Sequence, residues 1–131
     1  MRAFQTLALP AEPAVIAPDG TLGRILLALS SGSLAHFTLP AGAVSHPVQH
    51  RTVEEIWFFL QGHGEIWRAN DAAQSIVAAL PGVSITIPLG TAFQFRALGD
   101  EPLTFVAITM PPWPGDGEAF RVEGPWEAKL P

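Results

Sequence analysis

The sequence predicts an all-β fold, an antiparallel β-barrel or two-sheet jelly roll, and three observations carry that expectation. Thirteen prolines and 12 glycines are spread over 131 residues, so no segment of helical length is both free of breakers and patterned with a 3.6-residue apolar repeat. Short runs rich in Val, Ile, Leu, Thr and aromatics recur between turn residues instead, as in RILLALS, SLAHFTL, VSITIP and LTFVAITM; strands of a sandwich or barrel read this way. The 48% hydrophobic content excludes disorder and supplies the core of one domain at this length, not of two.

Residues 1–21 read as an extended N-terminal arm with a short strand near Phe4–Leu7 and a turn at Asp19-Gly20. Residues 22–110 form the barrel, with roughly eight core strands. It begins with a hairpin of RILLALS and SLAHFTL. In the second of these, Ala35, Phe37 and Leu39 make the apolar face, so His36 is expected to look outward. After the central stretch come EIWR with Trp67, SIVAAL, VSITIP, TAFQFRAL and LTFVAITM. Arg68 and Arg96 read as surface salt-bridge or interface residues, and Arg51 with Glu54 as a polar cluster steadying a loop. Residues 111–131 are dominated by proline and glycine yet carry Trp113, Phe120 and Trp126. Three large aromatics are expected to pin an irregular segment against the barrel, with Trp113 at a pocket rim.

The rest of the chain is organised around Gly42–Gly64, GAVSHPVQHRTVEEIWFFLQGHG. A loop with His46 and His50 runs into Glu54-Glu55 and then the apolar run IWFFL. Alternation places Glu55, Trp57 and Phe59 on one face and Glu54, Ile56 and Phe58 on the other. If the first face looks inward, Glu55 is a carboxylate at the mouth of an aromatic-lined cavity, with His50 beside it. His50 and Glu55 are therefore the candidate catalytic residues, able to act as acid and base or to orient a polar ligand. Trp57, Phe59, Phe93, Phe95 and Trp113 are the candidate ligand pocket, the alternative being that these rings simply fill the core.

These residues carry a family resemblance. Gly42, His50, Glu55 and Gly62 stand at the spacing of the first cupin motif, and Gly82, Pro88 and Gly90 at that of the second. The chain thus resembles the cupin superfamily over roughly residues 22–110, which implies a cupin barrel and a divalent transition metal held by three histidines and a glutamate. Val48 stands where the first histidine belongs and Phe93 where the last one does. His50 and Glu55 remain as metal candidates in an incomplete site. His63 lies at the far end of the IWFFL strand, and His46 reaches the site only if its loop bends.

Three functions follow as expectations. The first is a small-molecule-binding cupin with a metal-depleted site, His50 and Glu55 forming the polar end of an aromatic pocket. The second is a metal-dependent isomerase or dioxygenase-type enzyme. The third is a structural or regulatory cupin with a filled barrel. Seven basic against 12 acidic residues, a net charge of −5, argue against a nucleic-acid partner or an anionic membrane surface. No apolar run approaches the roughly 18 residues of a membrane helix, and the proline-broken N-terminus does not read as a secretory signal. The absence of cysteine permits a cytoplasmic setting. Because Ile56 and Phe58 make the outer face of the central strand apolar as well, a homodimer is expected to cover it.

Overall fold

The computed structural model describes residues 2–131, and they form two antiparallel sheets with no helix. The strands are β1 Val15–Ile16, β2 Leu22–Leu29, β3 Gly32–Leu39, β4 Val48–His50, β5 Glu54–Gln61, β6 His63–Ala69, β7 Gln74–Ala79, β8 Ser84–Ile87, β9 Ala92–Leu98, β10 Leu103–Met110 and β11 Ala119–Arg121. One sheet has the order β1-β2-β3-β10-β5-β8, the other β11-β4-β9-β6-β7. The jelly roll is the correct one of the two expected architectures, because the sheets face each other without closing into a barrel. Eight strands of four residues or more match the expected core; the very short β1, β4 and β11 are additional.

The expected strand at Phe4–Leu7 is absent. The edge of β2 is taken by Val15–Ile16, and Pro10 and Pro13 cannot donate to a ladder. The arm stays irregular, with Phe4 101% exposed, and is tied to the sheet where Arg24 Nε and Nη2 donate to Pro10 O and Ala11 O.

β5 alternates as its sequence demands: Glu55, Trp57 and Phe59 are buried, whereas Glu54, Ile56 and Phe58 are exposed. Trp57 is the hub of the core. Its ring stacks on Phe105 at 4.1 Å and meets Phe93 and Phe95 edge-on at 5.4 and 5.1 Å; such pairs contribute about 0.5–1.5 kcal/mol each beyond their burial. The β5–β6 connection needs glycine for two reasons. Gly62 has φ +79°, and a Cβ there would collide with Pro102 O. Gly64 lies so close to Arg96 O that no side chain fits.

His36 does lie on the outer face, paired with Arg24 and Val106, but it is buried there and its Nδ1 has no partner. Arg96 ion-pairs with Glu65 at 2.6 Å. Arg68 departs from expectation: it sits opposite the core residue Phe93 and reaches Thr86 O, at 2.8 Å, rather than a carboxylate.

Candidate functional site

The three-residue strand β4 delivers His50, and its partners explain why so short a strand is held. β4 pairs with β9 on one side, Val48 opposite Phe93, and with β11 on the other, Ala119 opposite His50. The next residues, Arg51 and Thr52, turn the chain into β5. Glu118 caps that turn, accepting the N–H groups of Arg51 and Thr52 at 2.7 and 2.8 Å together with the Thr52 hydroxyl. These bonds hold the Glu118 carboxyl below its ordinary pKa despite an opposing desolvation effect. The loop is therefore steadied from the C-terminal segment and not by Arg51 with Glu54. Arg51 donates instead to Gly117 O and lies 4.6 Å from the Phe120 ring centroid.

Glu55 is fixed at both oxygens. Trp57 Nε1 donates to Oε1 at 3.0 Å and Thr109 Oγ1 to Oε2 at 2.5 Å. Burial raises its pKa against those two bonds. His50 Nδ1 lies 3.8 Å from Glu55 Oε1, too long for a hydrogen bond, and is a buried polar atom without a partner. Burial also lowers the His50 pKa, favouring the neutral ring. Phe93 and Trp113 pack edge-on against that ring at 5.2 and 5.3 Å. His50, Gln49, Arg51, Leu89, Gly90 and Phe120 line an open cavity of about 290 Å³ at the mouth of the sandwich.

The structure thus brings His50, Glu55 and Trp113 together. It places Trp57, Phe59, Phe93 and Phe95 behind them in mutual contact, none of them lining this cavity. His63 is exposed at the far end of β5, and burial together with the Arg121 charge lowers the pKa of His46.

Asp19 was legible only as part of a turn. Its carboxylate is buried, accepts the Thr21 N–H and hydroxyl at 3.0 and 2.6 Å, and has its pKa raised by burial. The Glu55 charge adds to that rise and the His50 charge opposes it. Gln94 lies on the face of β9 opposite Phe93 and Phe95, where alternation alone suggests no role. Buried, it bonds Ser45 O, Trp126 O and Trp126 N, fastening the C-terminal segment across the outside of β9.

The donor set does not fit a tightly held divalent metal. Such an ion takes three or four protein ligands at about 2.0–2.2 Å for nitrogen and oxygen. Here both Glu55 oxygens already accept hydrogen bonds, and Val48 and Phe93 fill the remaining positions at 2% and 1% exposure. Among the described residues no group of three His, Cys, Asp or Glu is placed to hold an ion.

Comparison with solved structures returns the same fold. The capsular polysaccharide assembling protein CapF of Staphylococcus aureus aligns at TM-score 0.70 and 16% identity, over 89% of this chain and 33% of its own. KdgF from a Halomonas species aligns at 0.62 and 19%, over 76% and 87%. The oxalate decarboxylase of Bacillus subtilis, a protein with Mn(II) centres, aligns at 0.68 and 20%, over 85% and 30%. The chain spans about a third of the length of CapF and of the decarboxylase. No curated protein matches the sequence. The family model described as the cupin domain matches residues 35–109, more than half of the chain, from within β3 to within β10. The chain belongs to the cupin family.

Proposed function

We propose that this protein binds a small, partly apolar molecule in the mouth cavity, with His50 as its main polar contact. The observation that carries the reading is a buried imidazole, unpaired at Nδ1 and 3.8 Å from a fixed carboxylate, lining a cavity of about 290 Å³. That volume lies at the lower edge of the range of about 300–1,000 Å³ usual for ligand pockets. Gln49, His50 and Arg51 supply polar contacts, and Leu89 and Phe120 the apolar wall. Glu55 acts behind His50 as a positioning residue, itself held by Trp57 and Thr109. Kinship with the Mn(II)-containing decarboxylase supports the alternative of a metal-dependent enzyme, but the two remaining donors favour binding without a metal. The reading includes a cytoplasmic setting, which the lack of cysteine permits.

Native mass spectrometry of the freshly purified chain is the test. A co-purifying compound that is lost in His50→Ala, with the variant still folded, is the expected result. An empty wild type whose thermal stability no compound library raises would overturn the proposal.

A second copy of the chain is proposed to cover the outer face of the six-stranded sheet. Ile56, Phe58 and Ile108 lie together there in register, each 43–44% exposed. A contiguous apolar face of this kind marks an interaction surface.

A further inference from the structure

The open side of the sandwich has edge strand β7 of one sheet beside edge strand β8 of the other. Between them lies a second cavity of about 170 Å³, lined among others by Arg68, Asn70, Gln74, Ser75, Thr86 and Thr91. No acidic residue lines it, although the chain as a whole carries a net charge of −5. We propose that this slot binds a small oxyanion, a carboxylate or a phosphate group.

The argument is a census of donors and acceptors. Arg68 gives one N–H to Thr86 O at 2.8 Å, out of the five a guanidinium carries. Its Nε is buried without a partner, and so is the Thr91 hydroxyl on a residue only 3% exposed. Asn70 Oδ1 already accepts the N–H groups of Ala72 and Ala73 at 2.9 and 3.1 Å. Gln74 Oε1 already accepts Trp67 Nε1 at 3.3 Å. Both amide side chains therefore keep their NH₂ ends as donors. The lining is rich in donors: its two amide oxygens are engaged, and the Ser75, Thr86 and Thr91 hydroxyls can donate as well as accept.

An oxyanion accepts from all sides, and the planar guanidinium fork suits carboxylate and phosphate. The volume equals that of about five or six waters at roughly 30 Å³ each, room for such a group with some solvent. Phe93 lies between this slot and the mouth: it is the cross-strand partner of Arg68 and packs on the His50 ring. The two cavities share no lining residue, although Pro88 and Thr91 of the slot flank Leu89 and Gly90 of the mouth.

The test is a titration of the full ¹⁵N-labelled chain with inorganic phosphate and, separately, with acetate, at an ionic strength held constant with sodium chloride. Resonances of the Arg68 Nε–H and of the Ala69 and Thr91 amides report on the slot. Saturable shifts with phosphate alone identify a phosphate site, and with acetate alone a carboxylate site. Arg68→Lys keeps the charge but loses the fork, and Thr91→Val keeps the shape but loses the hydroxyl. Each is expected to weaken the apparent affinity at least tenfold, while Arg96→Lys, on the opposite face of the same sheet, leaves it unchanged. Should Arg68→Lys fail to fold, Thr91→Val decides. Shifts linear in concentration with both anions, unchanged binding in Thr91→Val, or equal weakening by Arg96→Lys would overturn the proposal.

Discussion

Restoring the family's histidines tests whether the mouth is built as described. In Val48→His with Phe93→His, the new side chains stand at directly opposed positions of β4 and β9, where Cβ atoms lie about 4.5–5.5 Å apart. His50 is two residues along β4 from position 48 and so shares its face. Three imidazoles and Glu55 would then converge. Without metal the double variant must be less stable than the parent. Exchanging the fully packed Phe93 ring for a buried imidazole costs about 2–4 kcal/mol, and enlarging Val48 in a filled core costs about 1–3 kcal/mol more. Metal reverses part of that. At a hundredfold excess over Kd, binding adds about 2.7 kcal/mol, and at a thousandfold excess about 4.1. At roughly 3–5 °C per kcal/mol for a chain of this size, nickel or zinc should raise the unfolding temperature of the variant by about 8–20 °C. A chelator should cancel the gain, and the parent should show at most a small one. A folded double variant that ignores metal would mean that position 48 or 93 does not point at His50 and Glu55. A parent purified with one equivalent of a transition metal would refute the judgement that its own donors are too few.

Two further predictions concern acidity and assembly. Burial lowers the pKa of His50 and, with smaller contributions from nearby arginines, those of His36 and His46, so the unfolded chain binds more protons and stability falls as pH drops below about 6.5. In urea titrations His50→Gln should flatten that loss; Glu55, whose raised pKa gives stability that is lost with rising pH, works oppositely, so Glu55→Gln should steepen it, and unchanged slopes in both would count against the burial argument. Light scattering at micromolar concentration should give about twice the monomer mass, and Phe58→Glu on the exposed face should give a monomer; a monomeric parent would leave the second copy without support.

The fold was readable because its signals are local. Alternation in EEIWFF and the breakers around each run place strands and faces with no knowledge of partners. The Phe4–Leu7 run misled for the complementary reason: a strand exists only where an edge accepts it, and the sequence does not show that β2 offers its edge to Val15–Ile16. His50 and Glu55 were readable through the spacing of glycines around them. Glu118 and Asp19 were not, since Glu118 reaches its partners 66 and 67 residues away and Asp19 meets the mouth by way of a turn. Both are acidic residues adjoining glycine, and such residues are usually solvated turn positions. Arg68 gave no signal at all: its parity matches the core face of β6, but an arginine on a short strand reads as surface until the facing sheet is in place.

The two departures from the cupin pattern are one structural change. Val48 and Phe93 face each other across β4 and β9, so replacing both histidines removes a pair of ligands and adds an apolar wall in the same place. Phe93 then extends the cluster centred on Trp57, and its edge rests on His50. A buried carboxylate stripped of a metal partner would be costly. Here Trp57 and Thr109 donate to its two oxygens, which makes Glu55 tolerable and also fixes its direction. His50 is left as the group with unmet hydrogen-bonding capacity, between a fixed carboxylate and an open cavity. Its unpaired Nδ1 is buried toward Glu55, so a ligand meets the ring from the cavity side, and none of the rings behind lines that cavity, which is why the reading rests on His50.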